Sequence, residues 1–328
     1  MTPFYDARGN VYAVASPQTL RALGLDLPAT AADAAINCRS WAVQAIDALC
    51  SWVPGGRPDG AKAHRCDGLL VGPFAHAAPF DLLIVNTDGT LAERSGNGLT
   101  IFAQALQDQS AGMGTKPFPL HVHHDRNDSP STVTIEPAER EGIRGFWLDL
   151  GRPVFGPEAV DANRAHLKPA SPAQSPGFCV PRLNDIDGAW ASSVFVNIGN
   201  PHCVTLLPDA VALPSLVQLQ TAPLQQALMS IAFAQGGGDP CPAGINLQWT
   251  WLAAPATLQA RVFERGEGAT ASSGTSASAV ACAAWLAGWV KAGCLQVEMP
   301  GGTAPIRLVE ENGTLHRVYL FGTARLLT

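Results

Sequence analysis

Two segments of the chain combine a serine, a glycine and a run of small residues, and they constrain the fold more than any other feature. One begins at Ser95 and reads SGNGLTIFAQALQ, and the other begins at Ser273 and reads SGTSASAVACAAWLAGWV. The second segment is apolar on nearly every side, which is typical of a helix enclosed by protein rather than a surface helix. We therefore predict two buried helices, over about 95–107 and 273–290.

Each predicted helix follows a strand and a glycine-containing turn. Residues 80–86 have the pattern of a short strand that enters the turn Asp88-Gly89. Residues 260–265 form a second such strand, which ends in Gly266-Glu267-Gly268. Because strand, turn and enclosed helix occur twice, we infer an internal duplication. The predicted fold class is α+β, with two pseudo-symmetric β-rich lobes, each a barrel-like sheet wrapped around a central helix.

The length of the chain, 328 residues, is enough for two domains that each bury a core. The predicted N-terminal lobe covers residues 1–130 with about 315–328, and the C-terminal lobe covers 131–314. A further strand is predicted over 193–199. Two more flank Asn312-Gly313, a dipeptide typical of hairpin turns.

The composition indicates a compact globular protein, since 47% of the residues are hydrophobic and 15% are charged. The formal net charge of −6 gives no electrostatic reason to expect nucleic acid or an anionic membrane as a partner. The first residues lack the pattern of a signal peptide. The longest apolar run, about Ala277 to Val290, is shorter than the roughly 20 residues of a membrane span. We expect a soluble, cytoplasmic protein, with a homodimer as the assembly considered.

The cysteines and histidines do not predict a metal centre. The eight cysteines show no CxxC pair and are expected to be free, mostly buried thiols. The run His121-Val122-His123-His124-Asp125 resembles a metal-binding sequence, with His121 and His123 on one face of a strand. No further ligand of evident spacing accompanies it, so the sequence favours an exposed polar strand and no metal.

The start of each predicted helix is suited to binding an anion. A helix N-terminus presents unpaired N–H groups and the positive end of the helix dipole, and it binds carboxylates readily. If two such termini face one cleft, they can hold one carboxylate and stabilise the charge that forms when the adjacent carbon loses its proton. The residues that head the helices then lie on opposite faces of that carbon. This arrangement suits proton removal from one face and proton return on the other.

Five segments of the chain resemble the diaminopimelate epimerase family. Residues 86–98 (NTDGTLAERSGNG) are similar to the first active-site signature of the family, and residues 261–275 (RVFERGEGATASSGT) to the second. Residues 199–204 (GNPHCV) match a third signature, and Gly244-Ile245-Asn246 and Gly9-Asn10 match two weaker ones. The five occur in the family's order, and they span essentially the whole chain.

The resemblance implies an isomerase that uses neither pyridoxal phosphate nor a metal and acts at the α-carbon of an amino acid. In the family one cysteine heads each helix, and the two serve as base and acid on the two faces of the α-carbon. Those positions are Ser95 and Ser273 here. The partner of the first matches His202, and the partner of the second matches Glu264. Substrate-binding groups carry over to Asn10, Asn86, Gly96, Asn97, Asn200, Asn246, Arg265, Gly274 and Thr275.

The chain departs from the family pattern at several positions. Both cysteines are serines, a family glutamine is replaced by Gly68, a glutamate by Ala269, and an aspartate by Val11. The last three changes favour natural divergence over an engineered Cys→Ser variant. They also indicate that the substrate, a polar zwitterionic amino acid, need not be diaminopimelate.

Three functions remain open. In the first, the chain is an isomerase or related lyase in which His202 and Glu264 carry protons, directly or through Ser95 and Ser273. Relatives in the proline racemase branch replace one cysteine by a hydroxyl residue and are dehydratases, so such changes are compatible with chemistry. In the second, the chain binds an amino acid without turnover. In the third, His202 activates Ser95 as the nucleophile of a hydrolase. Cys203, beside His202, is expected to point into the core.

Overall fold

The computed structural model describes residues 2–109, 115–170 and 176–327. These residues form two compact units. The first unit is Met1–Asp149 with Gly322–Thr328, and the second is Leu150–Phe321.

The first unit is a mixed sheet with four helices. Its strands are β1 (Phe4–Ala7), β2 (Asn10–Ala15), β3 (Gly68–Val71), β4 (Phe80–Asn86), β5 (Phe118–His123), β6 (Ser131–Arg140), β7 (Ile143–Asp149) and β19 (Arg325–Leu327). Its helices are α1 (Pro17–Ala22), α2 (Ala31–Ile36), α3 (Ala42–Cys50) and α4 (Gly96–Gln109). The antiparallel strands β6 and β7 continue this sheet from β5. The unit therefore extends to residue 149, past the boundary expected after residue 130.

The second unit has the same components. Its strands are β8 (Val154–Phe155), β9 (Lys168–Pro169), β10 (Phe178–Cys179), β11 (Ser193–Asn197), β12 (Pro201–Leu206), β13 (Asn246–Ala254), β14 (Thr257–Glu264), β15 (Gly268–Thr270), β16 (Gly293–Met299), β17 (Gly302–Glu311) and β18 (Thr314–Gly322). Its helices are α5 (Pro181–Ile186), α6 (Leu216–Leu219), α7 (Leu224–Ala232) and α8 (Gly274–Leu286). Nearly all of β18 lies in this unit, past the boundary expected near residue 315.

The two units share one order of strand pairing. From β1 to β7 the neighbours pair antiparallel, parallel, antiparallel, parallel, antiparallel and antiparallel. Strands β11, β12, β13, β14, β16, β17 and β18 repeat this series step for step. In both series the second parallel pair is joined by the long buried helix, α4 or α8. The repeated topology confirms the α+β fold with duplicated units.

The two central helices form where the sequence predicts them. Thr100 donates its hydroxyl to the carbonyl of Gly96 in α4, and Ser278 donates to the carbonyl of Gly274 at the corresponding place in α8. Helix α8 ends at Leu286, earlier than predicted. Its continuation stops because Gly288 takes a positive φ of 73°.

Each sheet has two covered faces. Helix α4 packs against β1, β2, β7 and β19 in the first unit, and α8 packs against β11–β14, β16 and β17 in the second. The other face of each sheet packs against the shorter helices, α1–α3 or α5–α7, through a separate hydrophobic cluster. The enclosed small-residue helices are therefore the inner layer of their units, which agrees with the apolar pattern of α8.

The remaining local predictions have mixed outcomes. Strands β4, β11 and β14 and the hairpin of β17 and β18 are confirmed, and Asn312 and Gly313 have the positive φ angles of a tight turn. Most of the eight free cysteines are buried, as expected. The prediction of an exposed polar strand over 121–125 is wrong. Strand β5 ends at His123, and both His123 and the following His124 are buried. Among the described residues, no helix is long and apolar enough to cross a lipid bilayer.

Candidate active site

Ser95 lies at the start of α4 in the first unit. Its Oγ accepts a hydrogen bond from the backbone N–H of Gly98 over 3.0 Å, and its carbonyl accepts one from Leu99 over 2.8 Å. This is N-cap geometry, in which the serine satisfies one of the donors that the first helical turn leaves without a partner. The N–H groups of Gly96 and Asn97 precede the first intrahelical bond. They are therefore suited to binding an anion.

Tyr12 places a phenol beside this serine. Its hydroxyl lies 3.4 Å from Oγ of Ser95. Tyr12 stands opposite Gly68 in the register of β2 and β3. A Cβ atom at position 68 would lie 2.8 Å from Cε1 of Tyr12 and 2.6 Å from the carbonyl oxygen of Val85. The tyrosine ring thus fills the space that a longer side chain at position 68 would need.

Two of the predicted substrate-binding asparagines in the first unit contact each other. Nδ2 of Asn97 donates to Oδ1 of Asn10 over 2.5 Å, and Asn10 in turn donates to the carboxylate of Asp67 over 3.4 Å. Asp67 therefore orients this pair. Asn86 bonds within its own turn instead, because its side-chain amide donates to Oγ1 of Thr90 over 2.9 Å.

Ser273 caps α8 in the second unit and lies near a partly buried carboxylate. Its Oγ accepts from the backbone N–H of Ser276 over 3.4 Å. Glu264, the last residue of β14, accepts a hydrogen bond from the hydroxyl of Thr270 over 2.7 Å, and the hydroxyl of Ser273 lies near enough to lower the pKa of this carboxyl. Burial raises the pKa of the Glu264 carboxyl, and the two hydroxyls oppose that effect only partly. The carboxylate therefore lies at the helix start with an increased affinity for a proton.

His202 is fully buried at the centre of a side-chain network. Its Nε2 lies 2.8 Å from Oδ1 of Asn200, and its Nδ1 accepts from the amide of Gln248 over 3.0 Å. The same network reaches the first turn of α8 twice, through Asn200 to Thr275 over 3.4 Å and through Gln248 to Ser276 over 3.0 Å. This pattern fixes the neutral tautomer with its proton on Nε2.

The electrostatics of His202 also favour the neutral ring. Burial lowers the pKa of His202 to about 3, and the positive charge of Arg265 acts in the same direction. Both ring nitrogens are engaged by protein groups. The predicted pairing of His202 with Ser95 concerns residues of different units and stays a prediction.

The other predicted residues of the second unit bond mainly to backbone. Both ends of the Asn246 amide are engaged, since it accepts from the N–H of Arg265 and donates to the carbonyl of Pro201, each over 2.9 Å. The exposed Arg265 donates its guanidinium to the backbone of the 243–244 turn over 3.3 Å. A Cβ at Gly274 would lie 2.5 Å from Cδ2 of Leu320, so a side chain at this position would require the leucine to move.

Comparison with known proteins identifies the family. The family model described as diaminopimelate epimerase matches residues 194–327. Diaminopimelate epimerase 2 of Nostoc sp. strain PCC 7120 is 30% identical over 315 residues, which cover 94% of this chain and 88% of that protein. The chain belongs to the diaminopimelate epimerase family. The diaminopimelate epimerase of Desulfitobacterium hafniense is 29% identical and covers 79% of both chains.

Solved structures agree with the fold of the family. A hydroxyproline epimerase from Agrobacterium vitis, with trans-4-hydroxy-L-proline bound, superposes with a TM-score of 0.56 at 13% identity. The match covers 100% of this chain and 90% of that one. At 13% identity this likeness establishes the fold alone. Membership in the diaminopimelate epimerase family, a family of isomerases, rests on the Nostoc relative.

Cys203, which follows His202, does not replace the thiols that the family signature places at the helix starts. Cys203 is buried, as expected, and burial raises the pKa of its thiol to about 12. A thiolate therefore does not form there near neutral pH.

Sequence reasoning missed several side chains that contact the predicted ones. Tyr12, Thr270 and Gln248 each hydrogen bond to a predicted site residue. The spacing of Gln248 from Asn246 is a signal, because residues two apart on a strand lie on the same face and β13 pairs with the strand of His202. The parallel pairing of these strands was not evident from the sequence, and neither was the contact of Tyr12 with Ser95.

Proposed function

We propose that this chain is a cofactor-independent amino-acid isomerase that moves a proton at the α-carbon of a polar, zwitterionic amino acid. The single observation that carries the proposal is the position of the Glu264 carboxyl, which accepts from Thr270 and lies near Ser273 at the start of α8, and whose pKa is raised by burial. A serine hydroxyl alone is a poor base near neutral pH. A carboxylate that lies near it supplies the missing base.

In this proposal the proton leaves the substrate through a short relay. Oγ of Ser273 accepts the α-proton while its own proton passes to the Glu264 carboxylate, so the serine is neutral before and after the step. The electron pair of the C–H bond moves into the substrate carboxylate as an enediolate. Backbone N–H groups at the start of α8, on Gly274 and Thr275, stabilise that negative charge.

Ser95 serves the opposite face of the α-carbon, as the family resemblance predicts. Its hydroxyl donates a proton to the carbanion, and the phenol of Tyr12, 3.4 Å away, replaces that proton. Deprotonation of the tyrosine in this step balances protonation of Glu264, and solvent restores both groups between turnovers. The reverse reaction uses the same groups in the opposite sense.

His202 acts as a positioning residue in this scheme rather than a proton carrier. Its two ring nitrogens bond to Asn200 and Gln248, and both partners continue to the first turn of α8. The role of the neutral ring is to hold the start of α8, and with it Ser273, in place. This departs from the sequence-based hypothesis that His202 carries a proton.

Binding without turnover is the second candidate, and one observation favours it. The hydroxyls of Ser95 and Ser273 both act as helix caps, accepting from Gly98 and Ser276. A protein that kept the anion-binding helix starts and lost catalysis would have the same caps. The hydrolase candidate is disfavoured, since neither nitrogen of His202 is free to take a proton from a serine in this arrangement.

A deuterium wash-in experiment separates these functions. The protein is incubated in D₂O with a panel of polar amino acids that includes diaminopimelate, lysine, ornithine and glutamate, and α-deuterium is measured by mass spectrometry. Incorporation accompanied by inversion supports the isomerase. Calorimetric binding of a panel member without any incorporation supports the binding protein and contradicts the proposal. Release of the free acid from ester or amide derivatives of the same amino acids, with a covalent adduct on Ser95, identifies a hydrolase and contradicts both.

A further inference from the structure

Three metal-ligating side chains converge in the first unit outside the candidate active site. They are Asp81 on β4 and His121 and His123 on β5, and their ligand atoms all lie within 4.8 Å of one another. Oδ1 of Asp81 is 2.7 Å from Nε2 of His123 and 3.6 Å from Nδ1 of His121. We propose that Asp81, His121 and His123 bind one divalent transition-metal ion, with Zn²⁺ or Co²⁺ as the class that fits.

The cluster follows from strand register. Strands β4 and β5 are parallel, and Asp81 stands directly opposite His121. His123 lies two residues further along β5 and therefore on the same face of the sheet as His121. Because β4 and β5 are rigid elements within one sheet, the three donors are held close together without a metal.

The distances suit a transition metal. Around an ion with bonds of about 2.1 Å to nitrogen and oxygen, tetrahedral neighbours are roughly 3.4 Å apart. The observed separations of 2.7 and 3.6 Å lie on either side of this value. Small rotations of the side chains would place an ion among them. Two imidazoles and one carboxylate favour Zn²⁺, Co²⁺ or Ni²⁺ over Mg²⁺ or Ca²⁺, which prefer oxygen ligands.

One side chain of the cluster is buried and the other two are partly exposed, as an open metal site requires. The side chain of His123 is only 11% exposed, whereas the side chains of His121 and Asp81 are 29% and 27% exposed. Water can therefore reach the cluster and complete the coordination. A structural hydrogen bond between Asp81 and His123 accounts for only part of the arrangement. It does not account for His121, whose Nδ1 lies 3.6 Å from the same carboxylate oxygen.

The position of the cluster gives the ion a role in stability. Strands β4 and β5 are the two ends of the crossover that contains α4, the helix headed by Ser95. Helix α2 packs against both strands. An ion bound by residues of both strands would clip them together and stabilise the folded state by mass action.

Titration of the metal-free protein with ZnCl₂, followed by calorimetry, tests the proposal. We expect one equivalent to bind, and Asp81→Asn and His121→Gln to weaken binding at least roughly tenfold. His76→Gln and His316→Gln serve as matched controls, and their affinity should equal that of the wild type. MgCl₂ should produce no comparable binding.

A second measurement keeps the test valid if a variant folds poorly. Co²⁺ bound by these residues should give visible absorption bands that Zn²⁺ displaces, and Zn²⁺ should raise the melting temperature of the wild type but not of folded Asp81→Asn. Circular dichroism verifies the fold of each variant. Absence of stoichiometric Zn²⁺ binding to the wild type overturns the proposal. It is equally overturned if folded Asp81→Asn and His121→Gln bind Zn²⁺ as tightly as the wild type.

Discussion

The side-chain amide of Gln248 donates a hydrogen bond to Nδ1 of His202 over 3.0 Å. This contact leaves the imidazole proton on Nε2, where it is donated to Asn200 over 2.8 Å. Since Gln248 also donates to Ser276 at the start of α8, the ring is a neutral connector between β12, β13 and that helix. Its protonation would cost the folded protein the hydrogen bond from Gln248 and place a buried charge.

The depressed pKa of His202 predicts a specific dependence of stability on pH. The folded value is about 3 and the ordinary value is 6.5, so the unfolded chain binds a proton that the folded chain does not. The stability from this residue is present above pH 6.5 and is lost as the pH falls toward 3. We expect the free energy of unfolding in urea to fall by a few kcal/mol (order of magnitude) over this window.

Substitution of His202 measures how much of this fall in the free energy of unfolding is due to its imidazole. A His202→Asn variant should be less stable than the wild type at pH 7 and should show a shallower decline on acidification. His316→Gln, at a position whose side chain is 44% exposed, should keep the wild-type slope. Equal slopes for the wild type and His202→Asn would contradict a buried neutral histidine.

The raised pKa of Glu264 predicts a pH profile for proton exchange. Only the carboxylate form is a base, so the rate should rise with pH around a midpoint above the ordinary value of 4.5. Thr270→Val removes a hydroxyl that lowers this pKa, so the midpoint should move upward by about one pH unit. The profile of α-deuterium incorporation measures it, with Thr221→Val as the control. A midpoint that stays fixed or moves downward would sink this account of the carboxylate.

The close packing around Gly68 predicts a loss of stability on enlargement. Gly68→Ala would place a Cβ 2.6 Å from the carbonyl oxygen of Val85 and 2.8 Å from the ring of Tyr12. Backbone atoms cannot move away readily, so we expect a loss of about 1–3 kcal/mol in urea unfolding. Gly188→Ala is the matched control, because a Cβ at that position meets nothing within 4 Å. Gly142→Ala is unsuitable, because Gly142 has a positive φ of 78°. Equal stability of Gly68→Ala and Gly188→Ala would contradict this packing.

Much of the fold could be predicted from the sequence because its signals are local. The serines that head α4 and α8, the strands beside them and the Asn312-Gly313 hairpin all carry periodicity or turn chemistry. The unit boundary could not be predicted from such signals. Strands β6 and β7 are bound to the first unit by their pairing with β5, which is a long-range property.

The sequence could predict candidate site residues that lie inside the family signatures, but not those that lie outside them. Glu264 and Ser273 lie in one signature, which places the carboxyl near the serine at the start of α8, while their roles stay predictions. Tyr12 and Gln248 contact site residues from other strands, so only the register brings them close. The same limit applies to Asp81, which joins His121 and His123 through parallel pairing of strands far apart in the chain.

Restoring thiols at the two helix starts should increase proton exchange. A cysteine thiol is far more acidic than a serine hydroxyl, with a pKa near 8.5, and a helix N-terminus lowers that value further. The double variant Ser95→Cys and Ser273→Cys should therefore exchange α-protons at least roughly tenfold faster than the wild type. Ser192→Cys, at a buried serine outside the candidate site, is the control. No gain in rate on any amino acid would show that the serines do not limit the chemistry.

The most direct test of the proposed relay compares two glutamates of one turn. Glu264 accepts a hydrogen bond from Thr270 and lies near Ser273, while Glu267 is exposed three residues later. Each is changed to glutamine, and α-deuterium incorporation is measured with the best substrate of the panel after its binding to each variant has been verified. We predict that Glu264→Gln binds this substrate but exchanges its α-proton at least roughly a hundredfold more slowly, while Glu267→Gln stays close to the wild type. Exchange by Glu264→Gln at the wild-type rate would contradict the assignment of Glu264 as the base.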